Sequence, residues 1–402
     1  MHDRNDDVSQ DSPSRPAPPA RLADGPIRWQ FALVAGTAGA IAFLTSHLLA
    51  GAPAIAERAY GTGFWPIVSR PISRLTGALP FAIAEWIIAA YVMYLLVLAC
   101  RAASDAIHDR RHWRNALAGG ARRMVRDAGI ILVLFYVLWG FNYARPTFED
   151  RAGWPEWEGI EASELTRLAE AAVLAANDAY VELHGSRDAG TPTPFPADAR
   201  TLEAALDTGW QRASVHLGLP YAAALPFGPV KWPFASAILG RLGIVGIYVP
   251  FTGEANVLRG MPAIRAPASM AHEMAHQRGV TTEAEATFLG LIAAALAPDP
   301  VARYSAMVSA AGQLAGALRS TAPDEFKRIS ALLLPGIRRD EADLRAFFEQ
   351  FEGPAQRVGG AINDRYLRAN RVPGGTANYG RSVRLLITWS RLHNGEVLPS
   401  AQ

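Results

Sequence analysis

Cysteine is nearly absent from this sequence of 402 residues, in which Cys100 is the only one. A single cysteine excludes an intramolecular disulfide and a cluster of thiolate ligands, so any metal site has to use nitrogen and oxygen donors. Lysine is also scarce, with Lys231 and Lys327 alone, and the formal net charge is only +2. We therefore expect no nucleic-acid partner, because the strongly basic character of such proteins is missing.

Charged residues are rare in three long apolar stretches, Phe31–Ala50, Leu79–Cys100 and Ala128–Ala144. Each approaches the roughly 20 apolar residues with which a helix crosses about 30 Å of hydrocarbon, although the third stretch is short. The alternative for each is a buried core helix. We predict three transmembrane helices in a membrane region of residues 28–145. Residues 1–27, rich in Pro, Asp, Ser and Arg, are predicted to be a disordered cytoplasmic tail.

Arginines are distributed unevenly between the two loops that would join these helices. The second loop carries Arg101, Arg110, Arg111, Arg114, Arg122, Arg123 and Arg126, whereas the first carries only Arg58, Arg70 and Arg74. Because cytoplasmic loops hold the excess of Lys and Arg, the second loop is predicted to be cytoplasmic. The chain after Arg145 then lies outside the cytoplasmic membrane, so residues 146–402 are predicted to form an extracytoplasmic domain.

The most informative stretch is His272-Glu273-Met274-Ala275-His276. Histidines four residues apart lie on the same face of a helix, so both imidazoles can bind one divalent metal ion, most often zinc. The intervening Glu273 lies where it can hold and deprotonate a metal-bound water. Pro267 suits the first turn of this helix, and Gly279 suits the position just past its end. The alternative is a helix with polar residues on an exposed face.

A catalytic zinc also needs a third protein ligand. The next histidine is as far away as His393, and the nearby carboxylates are Glu283 and Glu285. A turn at Gly279 would fold the following helix back and direct one of them at the metal. Glu285 has a competing role, because Thr282 to Glu285 matches a capping box. We favour Glu285 as the third ligand and keep Glu283 as the alternative.

The remaining site residues are less specific. Tyr379 is the first candidate for the donor that would stabilise an oxyanion, and Tyr248 is the second, although either can equally be a core residue. Glu254 and Asn256 would either orient a histidine or cap a loop. They follow a predicted strand, Leu242–Val249, and in many metalloproteases a strand beside the zinc helix pairs with an extended substrate.

Short segments between about Arg70 and Leu386 form a pattern shared with a known family. They are Ile72–Gly77 with Pro80-Phe81, Trp139–Arg145, Gly246–Asn256, His272–Gln277, Glu283–Phe288, Tyr366-Leu367 and Tyr379-Gly380. In these segments the chain resembles the bacterial membrane proteins grouped as the domain of unknown function DUF3810. Thr287 replaces the Asn typical of the family, and Val257-Leu258-Arg259 stands where an Asn is common. The resemblance implies a three-pass membrane protein with a zincin-like outer domain, and no established substrate.

The sequence thus predicts a mainly α chain with a small β element, in which three N-terminal transmembrane helices precede a zincin-like α+β extracytoplasmic domain. The leading hypothesis is a membrane-anchored zinc metallopeptidase acting on a peptide or protein substrate at the outer face of the cytoplasmic membrane. His272, His276 and Glu285 would bind Zn2+, and Glu273 and Tyr379 would act in catalysis. The alternatives are a non-catalytic metal-binding sensor or structural protein, and a cell-wall amidase, whose amide substrates make the same demands on zinc and water.

Overall fold

The computed structural model describes residues 26–108, 113–155, 159–370 and 380–400. These residues are mainly helical with a small two-stranded sheet, as predicted. The helices are α1 (Pro26–Ala50), α2 (Pro53–Ile55), α3 (Trp65–Gly77), α4 (Ile83–His108), α5 (Trp113–Leu138), α6 (Phe148–Ala152), α7 (Ala162–His184), α8 (Ala199–His216), α9 (Tyr221–Ala224), α10 (Ser236–Arg241), α11 (Ala266–Gln277), α12 (Glu283–Ala295), α13 (Pro300–Thr321), α14 (Pro323–Ser330), α15 (Pro335–Glu349), α16 (Pro354–Ala369) and α17 (Arg381–Leu392). A π-helical segment, Ala56–Phe64, precedes α3, and a 3-10 segment, Gly140–Ala144, follows α5. Most of the predicted tail, residues 1–25, lies outside the described residues.

Two helices among the described residues, rather than three, are long and apolar enough to cross a membrane. These spans are Trp29–Ala50 in α1 and Ile83–Ser104 in α4, with mean hydropathies of 1.6 and 2.1. The prediction of a third span at Ala128–Ala144 is wrong, because α5 ends at Leu138. Its apolar part is therefore only about 16 Å long at 1.5 Å per residue, about half the hydrocarbon thickness. The preceding part of α5 is charged (Arg122, Arg123, Arg126 and Asp127).

Helix α4 is exposed along most of its length. Ile87, Ile88 and Leu96 are 53%, 58% and 54% exposed. A helix that is apolar on all sides is normally buried in a protein core or in a membrane. Since α4 is not buried in the protein, its exposed apolar surface supports a membrane association.

Helices α1 and α5 pack side by side and point the same way. A Cβ atom on Gly39 would lie 2.9 Å from the Cα atom of Gly129, so the two backbones are in contact there. Further along both helices, Phe43 meets Tyr136 with ring centroids 6.1 Å apart. Small residues at such a contact let two helices approach closely, as they do in membrane helix pairs.

Two carboxylates fasten the start of α4 to the rest of the protein. Glu254 accepts hydrogen bonds of 2.9 Å from the N–H groups of both Ile83 and Ala84, two of the groups that a helix start leaves unpaired. Glu85, in the first turn of α4, accepts hydrogen bonds from the N–H groups of Phe234 and the residue after it, at 3.2 and 3.0 Å. The chain after α5 is called the soluble part below, and α1, α4 and α5 are called the bundle. The soluble part therefore lies at the end of the bundle where α4 begins.

The two strands lie beside α11. Strand β1 (Gly246–Val249) pairs antiparallel with β2 (Glu254–Val257), with Gly246 opposite Val257. Helix α11 packs against both strands on one side and against α12 and α13 on the other. The core of the soluble part also contains α7, α8 and α17, and its fully buried large residues include Trp210, Phe288 and Tyr304. This core surrounds α11 and holds it in place.

A short turn folds α12 back along α11. Gly279 adopts φ 82°, a left-handed conformation that glycine adopts without strain, so it ends α11 as predicted. The Thr282 hydroxyl accepts a hydrogen bond from the N–H of Glu285 and caps α12. Gly290, in α12, then lies against α11, where an added Cβ would be 2.8 Å from the backbone nitrogen of His272.

We expect Gly290→Ala to destabilise the protein, because its methyl group would push α12 away from backbone atoms that cannot yield. Overpacking of this kind costs about 1–3 kcal/mol of the free energy of unfolding. The matched control is Gly312→Ala, at an exposed position inside α13 where a Cβ meets nothing within 4 Å. That change should instead stabilise the protein by about 0.5–1 kcal/mol. Thermal unfolding of both variants in one detergent checks this, and equal shifts in Tm would contradict the close contact.

Candidate metal centre

Helix α11 carries both histidines of the motif, as predicted. Its first turn contains Pro267, and its interior is packed by small and apolar side chains. The Nε2 atoms of His272 and His276 are 3.2 Å apart, and the ring centroids are 4.8 Å apart. The two imidazoles thus direct the same kind of nitrogen at one point beside the helix.

Glu283, the first residue of α12, supplies a third donor at this point. Its Oε2 lies 3.1 Å from Nε2 of His272, and its Oε1 lies 3.9 Å from Nε2 of His276. A tetrahedral zinc site, with bonds of about 2.0–2.1 Å, places its ligand atoms about 3.3 Å apart. In the described part of the chain, these three side chains form a group whose donor atoms all lie within 4.8 Å of one another and can hold a metal ion.

Glu285, which the sequence analysis favoured, does not join this group. Its carboxylate is buried and lies 3.4 Å from the Arg151 guanidinium. Burial raises the pKa of Glu285, and the charge of Arg151 opposes that shift. Residues two positions apart point about 200° away from each other around a helix, so Glu283 and Glu285 cannot both face α11. The side chains that come together and can hold a metal ion are therefore His272, His276 and Glu283, rather than the predicted set with Glu285.

Hydrogen bonds at the outer nitrogens fix how the two rings are presented. Nδ1 of His276 lies 2.6 Å from the carbonyl oxygen of Val280, and because a carbonyl only accepts, this nitrogen carries the proton. The lone pair of the neutral ring is then on Nε2, facing the other donors. Burial lowers the pKa of His276, which favours this neutral form. His272 has a similar partner, since its Nδ1 lies 3.1 Å from the Thr287 hydroxyl. Such contacts orient metal-binding histidines.

Glu273 is buried between α11 and β1. Gly246 makes room for it, because a Cβ at that position would collide with the Glu273 carboxylate. One carboxylate oxygen, Oε2, is buried without a hydrogen-bond partner in the protein. Burial raises the pKa of Glu273 well above its ordinary value, and the nearby charge of Glu283 adds to the shift. A buried carboxylate with an unpaired oxygen, close enough to Glu283 to feel its charge, fits a metal site at which a proton has to be accepted.

Aromatic side chains form the wall between this cluster and the helix bundle. The ring of Trp139 lies 6.1 Å from that of His276, and the hydroxyls of Tyr143 and Tyr366 are 3.0 Å apart. Burial raises the pKa of both tyrosines, and the charge of Glu283 contributes in each case, so both phenols lie near that carboxylate. The sequence analysis missed this pair as site residues, although both tyrosines occur in the segments that resemble the family.

The other predicted site residues lie elsewhere or are not described. Tyr379 falls outside the described residues, so its role stays a prediction. Tyr248 packs against Trp139, with ring centroids 5.0 Å apart. The Asn256 amide donates to the carbonyl oxygens of Ile247 and Glu254, and the Glu254 carboxylate caps α4. The hydrogen bonds of Glu254 thus go to the start of a helix rather than to a loop or a histidine, and those of Asn256 go to backbone carbonyls of the strand pair.

Comparison with known proteins identifies a family but no activity. A family model described as "Protein of unknown function (DUF3810)" matches residues 60–387. The matched range contains α11, α12 and both strands, together with α4 and α5, whereas α1 precedes it. No curated protein and no solved structure matches the chain.

We expect Glu283→Gln to weaken metal binding far more than Glu285→Gln, because only Glu283 lies beside the two imidazoles. The loss should exceed the roughly 10–100-fold that removal of an outer-shell partner costs. Competition for Zn2+ between the purified full-length variants and a chromophoric chelator measures this. Glu285→Gln is the matched control, since it makes the same chemical change two residues away. A weaker Zn2+ affinity in that variant alone would restore Glu285 as the ligand.

Proposed function

This chain belongs to the DUF3810 family of proteins of unknown function, and we propose that it is a membrane-anchored zinc metallopeptidase. The observation that carries the proposal is the convergence of His272, His276 and Glu283 next to the buried, unpaired Glu273. Two imidazoles and one carboxylate are a ligand set that zinc accepts readily. We propose that the substrate is a peptide or protein.

The number of donors favours hydrolysis over a structural role. Structural zinc sites are usually closed by four protein ligands, whereas hydrolytic sites use three and leave one position for the reactants. Within the described ranges of the chain, the cluster that can hold a metal consists of three residues. A sensor or structural protein with a closed shell would need a fourth donor at this point.

Different residues of the chain would carry out the separate steps of hydrolysis. A bound zinc ion would lower the pKa of a water to about 7 and polarise the scissile carbonyl. Glu273 takes a proton from the attacking water and delivers it to the leaving amine. Tyr143 and Tyr366 can donate hydrogen bonds to the developing oxyanion, since both phenols lie near Glu283 and their raised pKa keeps them protonated.

Strand β1 provides a place for an extended substrate. In an antiparallel pair, the backbone groups of alternate residues point away from the partner strand. Leu258 donates its N–H to the Val245 carbonyl, so Gly246 and Tyr248 are the residues whose backbone groups face the other edge. Gly246 also touches Glu273. A peptide added to this edge would therefore lie along the cluster, which is recognition by strand addition.

The geometry of the bundle supports an extracytoplasmic position for this site. Helix α4 begins at the soluble part of the chain and carries Arg101 at its far end. The apolar part of α5 is too short to count as a span by itself, but α5 packs along α1 and brings the chain back from Arg122 and Arg123 to the soluble part. Because the arginine-rich side of a membrane protein faces the cytoplasm, the cluster would face the outside. A cell-wall amide is the alternative substrate on that side, because its hydrolysis requires the same chemistry from the same residues.

Replacement of Glu273 by Gln should abolish hydrolysis while zinc stays bound, because the amide keeps the shape of the side chain but cannot accept the proton. A lost general base costs about 10²–10⁴-fold in rate. The full-length protein in detergent, loaded with Zn2+, is assayed against a peptide library and against cell-wall fragments, with bound zinc measured in parallel. Undiminished cleavage by this variant would refute the proposed role of Glu273. Cleavage of cell-wall fragments alone would favour the amidase.

We also expect Gly246→Ala to reduce kcat with little change in zinc affinity, because the added methyl group displaces the Glu273 carboxylate. A misplacement of about 1 Å can cost on the order of 10²-fold. Ile247→Ala is the matched control, since it alters the next residue of β1, whose side chain points to the opposite face of the strand. Equal activities of the two variants would show that Glu273 does not need its present position.

A further inference from the structure

Two helical segments near the bundle expose large apolar side chains. Beside and within α10, Phe234 and Ile238 are 68% and 62% exposed, and in α16 Val358 and Ile362 are 57% and 61% exposed. These four residues are called the apolar collar below. Clustered apolar exposure of this extent marks a surface that meets a partner or a membrane.

Helix α16 has the pattern of a helix that lies flat on a membrane. Val358, Ile362 and Tyr366 recur every four residues and therefore share one flank of the helix. Arg357 and Arg368 lie on another flank together with Asp364, and Arg365 lies at the border between that flank and the apolar stripe. The side facing the protein buries Gly359 and Leu367. An apolar stripe together with a charged face is typical of interfacial helices.

Both segments are fastened to the end of the bundle where the membrane spans begin or end. The N–H of Phe234 donates to the carboxylate of Glu85, in the first turn of α4. Tyr366 contacts Phe135 of α5, with ring centroids 6.2 Å apart, and its hydroxyl lies 3.0 Å from that of Tyr143. The apolar collar thus lies at the level at which the hydrocarbon layer would give way to water.

Helices α10 and α16 also pack directly on each other. A Cβ on Gly359 would collide with the backbone of Leu242, the residue that ends α10, and Gly240 lies against the ring of Phe351. The two segments that carry the apolar collar are therefore in direct contact with each other.

We infer that the apolar collar is embedded in the interfacial layer of the lipid bilayer. Lipid is the occupant because the collar continues the exposed apolar surface of α4, where Trp86 and Ile87 are 58% and 53% exposed. Phe234 lies next to this end of α4, because its N–H donates to the carboxylate of Glu85. Lipid around this end of α4 would therefore also contact Phe234. Burial of four large apolar side chains in lipid also fixes the tilt of the soluble part against the membrane.

This surface has a consequence for the substrate, which rests on the proposed function. Tyr366 lies in α16, as Val358 and Ile362 do, and its hydroxyl contacts that of Tyr143 beside the metal cluster. The cluster therefore lies close to the collar, in the zone just above the lipid. A polypeptide held to the membrane by a lipid or by a transmembrane helix would reach the cluster along the bilayer surface. The substrate class is therefore membrane-anchored polypeptides, cleaved close to their anchor.

Spin labels test the collar without any assay of activity. Single cysteines are placed at Ile238 and Ile362 in the Cys100→Ser background, because Cys100 is the only native cysteine. The matched control is Ala361→Cys, one residue away on the exposed charged flank of α16. Each labelled full-length protein is reconstituted in vesicles of phosphatidylethanolamine with a minority of phosphatidylglycerol. Collision rates with oxygen, which enriches in lipid, and with a water-soluble nickel chelate are then measured.

The labels at positions 238 and 362 are expected to favour oxygen, and the label at 361 the nickel chelate. Nickel collisions at 238 and 362 equal to those at 361 would overturn the inference by placing the collar in water. Labels shielded from both reagents would overturn it by showing a protein partner or a second copy there.

A separate arm tests the substrate class in the enzyme itself. Val358→Ser combined with Ile362→Ser should slow cleavage of a peptide anchored to the vesicles by an acyl chain, at least tenfold, and leave cleavage of the same peptide in solution unchanged. Equal loss on both peptides would refute the substrate class. If no peptide is cleaved by the unmodified protein, the proposed function fails, whereas the label result still decides the position of the collar.

Discussion

The contact between α11 and α12 determines where every donor of the cluster lies. Gly290 lets the two backbones touch beside His272, and the turn at Gly279 sets the direction in which α12 returns. Glu283 begins α12 at that place, so its carboxylate reaches both imidazoles. If the helices were separated by even one methyl group, the third donor would move away from the first two. The chemistry of the site therefore depends on close packing between small residues.

The membrane helices and the cluster belong to one framework. Arg145, just after the 3-10 segment that follows α5, donates to the carbonyl oxygen of Gly279 and forms an ion pair with Glu57. Gln277, at the end of α11, donates to the hydroxyl of Ser73 in α3. The turn between α11 and α12 is thus held by residues that emerge from the bundle. This arrangement explains why the cluster lies close to the bundle and not at the distant surface of the soluble part.

Three carboxylates near the motif have different surroundings: Glu273 and Glu285 are buried, and Glu283 is half-buried. Glu283 faces two imidazoles, Glu285 faces Arg151, and Glu273 has one oxygen without a partner. Burial raises the pKa of a carboxylate most when no cation lies nearby, because nothing then stabilises the charged form. These different surroundings make Glu283 a candidate metal ligand, Glu285 a member of an ion pair and Glu273 a candidate base, although all three residues have the same side chain. Thr287 places its hydroxyl 3.1 Å from Nδ1 of His272.

The sequence by itself determined the features that depend on local spacing. The four-residue interval between His272 and His276 places both on one helix face whatever the rest of the chain does, and the apolar length of α4 makes it a candidate span. Only the tertiary structure decided between Glu283 and Glu285, because both begin the same helix and the choice depends on which side of α12 meets α11. It also decided that α5 ends at Leu138 and that Glu254 caps α4. Contacts between residues far apart in the chain have no signature in local periodicity, so they could not be foreseen.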